Sequence, residues 1–161
     1  MLKISRQAKI SKFADIEDSL RGSILLIDQG VHIDSFVKIK FVGGSGDIRI
    51  GENTYINSGT VIYSGNGISI GKNVLIASNC SLAPTNHAIK KDKNIIAQRF
   101  MPSRGGIIIE DDVWIGANTV ILDGAILRKG CVVGAHSLVN KELEGYSINV
   151  GSPTKKIGYR E

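Results

Sequence analysis

One histidine, His87, has the position expected of a general base. It stands where a regular pattern of the chain gives way to a long irregular stretch, residues 87–108. Imidazole has an ordinary pKa of about 6.5, so near neutral pH it can take a proton from a hydroxyl and return it to a leaving group. This position makes His87 the strongest candidate for a catalytic base among the three histidines. His32 lies in a less regular region and His136 at a turn position, and both are weaker candidates.

The stretch after His87 combines charge with apolar side chains. Five Lys and Arg residues in 87–108 stand against the single acid Asp92, a net charge of +4 in a chain of net charge +5. A loop this long in a regular domain is usually functional or disordered, and its apolar side chains argue against disorder. The charge is typical either of a solvated basic loop or of a loop that covers an anionic ligand. The loop also contains apolar side chains, which need a neighbouring surface to pack against. These residues are Ile95, Ile96, Phe100 and Met101.

A six-residue repeat must position these groups. A branched aliphatic residue occupies the first position of twelve six-residue words, and the fourth position is Asn or Gly in eight of them. Asn and Gly are typical of turns with positive φ. The aliphatic positions are Ile50, Ile56, Ile62, Ile70, Ile76, Leu82, Ile109, Ile115, Ile121, Leu127, Val133 and Val139. This period predicts an all-β solenoid whose stacked aliphatic residues fill one continuous core.

The chain is expected to form a single domain, residues 1–161. Three words make one rung, which is one turn of the solenoid. The repeat is least regular in residues 1–32, which we interpret as irregular or degenerate first rungs. Residues 87–108 are the extruded loop, and residues 144–161 are a C-terminal tail.

Composition limits the compartment and the partners. No apolar run is long enough for a signal peptide or a membrane span, so we expect a cytoplasmic protein without a transmembrane segment. The positive net charge alone does not indicate nucleic acid, because the sequence has no aromatic platform or groove-reading helix. Cys80 and Cys131 occupy the small fifth position of their words, and we expect them to be buried, with neither a disulfide nor a metal site.

Three strings of the sequence resemble the left-handed β-helix hexapeptide-repeat acyltransferases. These strings are DDVWIGAN (Asp111–Asn118), VGAHSLV (Val133–Val139) and GSPTKKI (Gly151–Ile157), within a resemblance that begins at Ile48. The family's usual ending is a Gly-x-Pro-Ala-Lys-like string, from which Thr154 departs. The resemblance implies a left-handed parallel β-helix, acetyl-CoA as the acyl donor without a metal, and a homotrimer with each donor site between two subunits. The chain is most similar to the sugar and polysaccharide O-acetyltransferases.

The resemblance also implies binding residues. Asn57 matches an asparagine that contacts the acceptor, with a turn-lining role as the alternative. An acidic acceptor contact found eight residues later in relatives falls on Gly65, so we expect a different acceptor sugar.

For the donor, the implied contacts are Trp114, Ala117, Ala135, Asn140, Lys141, Lys155 and Lys156. Ala117 and Ala135 would line the pantetheine, and Asn140 with Lys141 would lie near the nucleotide. The two C-terminal lysines would meet the CoA phosphates, unless they belong to an exposed tail. Trp114 would cover the donor site or pack against the next subunit.

By this resemblance, the chain would transfer the acetyl group of acetyl-CoA directly to a hydroxyl of a sugar or surface-polysaccharide precursor, soluble or lipid-linked. An N-acetyltransferase of an amino sugar is the nearest alternative, and a non-catalytic scaffold or ligand-binding solenoid is another. A γ-type carbonic anhydrase needs three histidines that converge on zinc, and the spacings of 55 and 49 residues between the histidines argue against it.

Overall fold

The chain winds into a three-sided parallel β-helix, and the computed structural model describes all 161 residues. Each rung contributes one strand to each of three sheets, and strands of successive rungs pair in parallel. The coil is left-handed, which confirms the predicted fold class. The helical content is a single 3-10 turn at Ile95–Ala97, inside the long loop. No helix is long and apolar enough to cross a membrane.

The strands follow one another around three faces, which we name A, B and C. Sheet A contains β1 (Leu2–Ile4), β4 (Leu25–Ile27), β7 (Ile48–Ile50), β10 (Ile68–Ile70), β13 (Ile107–Ile109), β16 (Ala125–Leu127) and β19 (Glu142–Leu143). Sheet B contains β2 (Lys9–Ile10), β5 (His32–Ile33), β8 (Tyr55–Ile56), β11 (Leu75–Ile76), β14 (Trp114–Ile115), β17 (Val132–Val133), β20 (Ser147–Val150) and β21 (Lys155–Tyr159). Sheet C contains β3 (Asp15–Ile16), β6 (Lys38–Lys40), β9 (Val61–Tyr63), β12 (Ser81–Ala83), β15 (Val120–Leu122) and β18 (Leu138–Val139).

Both ends of the chain take part in the solenoid. β1 to β3 form a first rung whose side chains are less buried than those of later rungs, with Ile10 and Ile16 packed partly against the core. The C-terminal residues contain β20, which belongs to the seventh rung, and β21, which pairs with β20 in the antiparallel direction. The solenoid therefore has six complete rungs, a partial seventh and a closing strand.

The repeat fills the interior as predicted. All twelve first-position aliphatic residues belong to one core of 27 buried residues, and each is at most 2% exposed. The strand register places them in vertical rows, for example Ile50 beside Ile70 and Ile70 beside Ile109. The stacked rows bury apolar surface that no single rung could cover alone.

The fourth-position turn residues adopt the positive φ angles that the sequence predicts. Asn53, Asn73, Asn79 and Asn118 have φ between 56° and 58°, and Asp112 and His136 share this conformation with φ of 61° and 56°. Glycine and asparagine also alternate for a packing reason. A Cβ on Gly59 would lie 2.2 Å from Oδ1 of Asn79 in the next rung. The asparagine side chain therefore occupies the space that the glycine leaves.

Gly59→Ala is expected to destabilise the fold by about 2–4 kcal/mol, because a left-handed φ and an overpacked contact both act against it. Gly22→Ala is the matched control, since Gly22 also has positive φ (81°) but no atom within 4 Å of an added Cβ. Urea denaturation of both variants separates the two contributions. Equal losses of unfolding free energy would show that the contact with Asn79 contributes nothing.

Candidate functional site

Sheet C separates six of the predicted site residues into two groups, one on each of its edges. Asn57, Ala117 and Ala135 lie at the corner between sheets B and C, in rungs three, five and six. His87 follows β12 at the opposite corner, between sheets C and A, in rung four. Asn140 and Lys141 lie at that same C–A corner in rung six, between β18 and β19. A single chain therefore does not bring the two groups together.

His87 stands at the base of the long loop with its side chain exposed, as the sequence predicts. It forms an isolated antiparallel bridge with Phe100, and the two ring centroids are 4.6 Å apart. Backbone bonds flank this bridge: the Ala88 N–H donates to Arg99 O at 3.0 Å, and the Met101 N–H donates to Asn86 O at 2.7 Å. The two ends of the loop, residues 86–88 and 99–101, thus run antiparallel as a short β-ribbon. This ribbon fixes the position of the imidazole.

Two polar side chains order the loop, and the sequence repeat identified neither. The Gln98 side chain accepts a bond from the Lys90 N–H at 2.8 Å and donates to the Lys90 and Lys93 carbonyls at 2.9 and 3.0 Å. The buried carboxylate of Asp123 accepts bonds from the Arg104 and Gly106 N–H groups at 2.8 and 2.9 Å. These contacts fasten the tip and the return of the loop respectively.

The outer surface of the loop is both apolar and cationic. Ile96 is 95% exposed, and Ile95, Phe100 and Met101 are each between 44% and 51% exposed. The loop lysines and Arg99 take part in no ion pair within the chain. The apolar side chains that require a covering surface therefore do not find one in their own chain.

A groove of about 410 Å³ lies on the B–C edge beside Asn57, and we call it the B–C groove. Its lining residues are Asp34, Asn57, Ser58, Leu75, Ala77 and Ser78. The Asn57 Nδ2 donates to Ile76 O at 2.7 Å, which supports the turn-lining role, whereas its Oδ1 faces no donor of the chain. Asp34 was not anticipated from the sequence. The available signal was its place 23 residues before Asn57, at the same second word position.

A column of small residues continues from the groove along the B–C edge. Ser78, which also lines the groove, is followed in register by Ala117, Ala135 and Gly151 from rung four to rung seven. The spacing is close: a Cβ on Gly116 would lie 2.5 Å from the Ala135 nitrogen. Small side chains in this column project little from the B–C edge between rungs four and seven.

The two C-terminal lysines point to different surroundings because they alternate along β21. The Lys156 Nζ donates to both carboxylate oxygens of Glu144 at 2.9 Å and to the Tyr159 hydroxyl at 2.7 Å. These hydrogen bonds, that of Tyr159 above all, raise the pKa of Lys156. Lys155 pairs with Val150 through the backbone and has no ion pair. Lys155 is therefore the lysine whose charge is not compensated within the chain.

Trp114 lies on the outer face of sheet B and is 51% exposed. It is in register with Leu75 of the preceding rung and with Val132 of the following one. Leu75 also lines the B–C groove. Trp114 therefore belongs to an outward apolar row next to the B–C edge.

Cys80 and Cys131 are buried, as the sequence predicts, and their thiols are free. Burial raises the pKa of Cys131 to about 12 and also raises the pKa of Cys80. A thiol with such a pKa carries very little thiolate near neutral pH, and the thiolate is the nucleophilic form. These cysteines are thus poor candidates for a covalent intermediate.

Two families of repeats match parts of the chain. Residues 106–141 match the family described as bacterial transferase hexapeptide (six repeats), and residues 47–84 match the family described as hexapeptide repeat of succinyl-transferase. The two matched segments lie on either side of the long loop.

Curated relatives are acetyltransferases. A probable acetyltransferase of Mycobacterium tuberculosis is 31% identical over 158 residues, which cover 94% of this chain and 50% of that protein. A chloramphenicol acetyltransferase of Klebsiella aerogenes is 43% identical over 56 residues, or 35% of this chain and 27% of that protein. The chain thus spans half or less of the length of these relatives.

Solved structures share the fold of nearly all or about three quarters of the chain. A variant of AntD, an N-acyltransferase from Bacillus cereus in complex with dTDP-4-amino-4,6-dideoxyglucose and coenzyme A, aligns with a TM-score of 0.82 and 26% identity over 99% of this chain and 84% of that chain. A hexapeptide-repeat acetyltransferase from Vibrio cholerae in complex with acetyl coenzyme A aligns with a TM-score of 0.67 and 31% identity over 76% of this chain and 66% of that chain.

Proposed function

Because the chain belongs to the family of hexapeptide-repeat acyltransferases, we propose that it transfers the acetyl group of acetyl-CoA to a hydroxyl of a sugar or surface-polysaccharide precursor. The observation that carries this proposal is the position of His87. It is exposed at the C–A edge in rung four, between the level of Asn57 in rung three and the levels of Ala117 and Ala135 in rungs five and six. A base at that level would stand between an acceptor at Asn57 and a donor along the small-residue column.

The B–C edge and the C–A edge can form one site only if a neighbouring subunit brings them together. The outward side chains of sheet C in rungs three to six are half-buried, and most of them are apolar. These residues are Val61, Tyr63, Ser81, Ala83, Val120, Leu122 and Leu138. If this face is turned toward a three-fold axis, the B–C edge of one subunit meets the C–A edge of the next. Closed cyclic symmetry satisfies such unlike surfaces without forming fibres. The exposed loop residues would then pack on the neighbour.

In this arrangement His87 acts on the acceptor hydroxyl. The imidazole takes the hydroxyl proton as the oxygen attacks the thioester carbonyl carbon, and it returns that proton to the departing thiolate sulfur. Transfer is direct, because the thiols of Cys80 and Cys131 are buried away from any acyl donor and this burial raises the pKa of both. Donor contacts come from Ala117 and Ala135 along the pantetheine, and from Asn140, Lys141 and Lys155 toward the nucleotide.

Transfer to the amine of an amino sugar is a second candidate. It is favoured by the similarity to AntD, an N-acyltransferase in complex with an amino sugar nucleotide. An amine needs less assistance from a base than a hydroxyl does, once it is deprotonated. The two reactions therefore differ in how strongly they depend on His87.

A panel of acceptors tests the proposal. Thiol release from acetyl-CoA would be followed with matched pairs of sugars that differ only in hydroxyl or amine at one carbon. We expect release with the hydroxyl partner. Release with the amine partner alone would establish the second candidate, and acetyl-CoA binding without release for any acceptor would favour a ligand-binding solenoid.

Lys155→Ala is expected to raise the KM for acetyl-CoA by about 3- to 10-fold and to leave the KM for 3′-dephospho-acetyl-CoA nearly unchanged, as the loss of a lysine–phosphate contact predicts. Lys156→Ala should have a smaller selective effect, since its ammonium is held by Glu144. Lys129, an exposed lysine at the A–B corner of rung six without an ion pair, provides the control. Equal changes for both donors would contradict a phosphate contact.

A further inference from the structure

The B–C groove contains a carboxylate without a counter-ion, Asp34. Its Oδ1 accepts a bond from the Ser35 N–H at 2.6 Å, and the side chain is half-buried with no ion pair. Asn57 directs both its N–H and its Nδ2 to Ile76 O, which leaves Oδ1 as its available atom. Two adjacent rungs thus present hydrogen-bond acceptors to the same groove.

The hydrogen-bond acceptors in the groove indicate which chemical groups a ligand must carry. A carboxylate and an amide oxygen require donors, and a hydroxylated ring supplies them. A phosphate or a carboxylate of a ligand would be repelled by Asp34 at short range. An amine would pair with Asp34, but an adjacent carboxylate raises the pKa of an amine and keeps it protonated, which removes its lone pair for acyl transfer.

We propose that the B–C groove is a subsite for a neutral sugar ring with two adjacent free hydroxyls, which Asp34 binds as a pair. Asn57 Oδ1 accepts from a further hydroxyl, the Ser58 and Ser78 hydroxyls donate to ring or glycosidic oxygens, and Leu75 packs against a C–H face of the ring. The volume of about 410 Å³ is within the range of small-molecule pockets. This inference rests on the proposed function in one respect, which is that His87 of a neighbouring subunit lies beside the bound ring.

The test uses Asp34→Asn, which keeps the shape and the bond from Ser35 but removes the charge. Asp28→Asn is the matched control, because Asp28 occupies the same second word position of the same rung, is also half-buried, and lies at the A–B corner outside the groove. Saturation-transfer NMR without acetyl-CoA would use methyl β-D-glucopyranoside and methyl β-D-galactopyranoside, their 2- and 3-deoxy analogues, methyl β-D-glucosaminide and glucose 1-phosphate. Thiol release would be measured in parallel.

We expect the methyl glycosides to bind the wild type and the deoxy analogues to bind more weakly. Asp34→Asn should weaken glycoside binding and raise the acceptor KM by about 10- to 100-fold, the loss expected for charge-assisted bonds, while kcat and the KM for acetyl-CoA change little. Asp28→Asn should match the wild type. Equal behaviour of the two variants, or stronger binding of glucose 1-phosphate or the glucosaminide, would overturn the subsite.

The two measurements separate this inference from the proposed function. A glycoside that binds through Asp34 but is never acetylated would refute the proposed function and leave the subsite standing. Acetylation that is unaffected by Asp34→Asn would refute the subsite and leave the proposed function standing.

Discussion

His87→Ala is expected to lower turnover by about 10²- to 10⁴-fold while acetyl-CoA still binds, which is the range for loss of a general base. The imidazole is exposed at the base of the loop, and its contact within the chain is the Phe100 ring. Removing it therefore takes away the proton acceptor and leaves the small-residue column intact. Steady-state kcat and calorimetric affinity for acetyl-CoA measure the two quantities separately.

His32→Gln is the control for this variant, since His32 lies on the outer face of sheet B against Tyr55, at a ring distance of 5.1 Å. It should leave turnover near the wild-type value. Near-normal turnover of His87→Ala with a verified acceptor would remove the base assignment. A loss of acetyl-CoA binding equal to the loss of kcat would assign His87 to the donor site instead.

Mixed assemblies of two inactive variants should recover about one quarter of wild-type activity, because random 1:1 mixing leaves one in four intersubunit sites with both edges intact. The two variants are His87→Ala, with a lesion on the C–A edge, and Ala135→Trp, which blocks the small-residue column on the B–C edge. Ala135 is exposed, so the fold tolerates the larger side chain. Co-refolded samples would be assayed after light scattering has established a trimer.

Mixing His87→Ala with His87→Gln should recover nothing, because both lesions lie on the same edge. A monomeric mass would reject the proposed assembly. A trimer without recovery in the first mixture would place both edges of each site in one subunit, contrary to their separation by sheet C.

The repeat could be predicted from the sequence because its determinants are local. Each aliphatic residue marks an inward position of a strand, and each Asn or Gly marks a turn with positive φ, so the twelve words predict about four of the rungs and the part of the core that these rungs enclose. The loop and His87 could be located as the interruption of that repeat. The first rung was harder to identify because its apolar residues, such as Ile4 and Ile10, are only partly buried.

The composition of the site could not be predicted in the same way, because it depends on contacts between rungs. Asp34 joins Asn57 only when successive rungs stack, and Asp123 reaches Arg104 across a whole turn of the solenoid. The difference between Lys155 and Lys156 requires the antiparallel pairing of β21 with β20, which the repeat does not contain. Such contacts have no periodic signal in the sequence.

The position of β21 at the end of sheet B also sets the length of donor that the proposed site can hold at both ends. β21 ends the parallel stacking of sheet B, so five strand spacings separate β8, next to Asn57, from β21, which begins at Lys155. At about 4.8 Å per spacing, the two ends lie about 24 Å apart along the axis. In the proposed site, a donor with a phosphate at one end and a thioester at the other is held at both. A donor without the nucleotide would lack the contact that sets its position along the solenoid axis. Its thioester would then not be held at the level of His87.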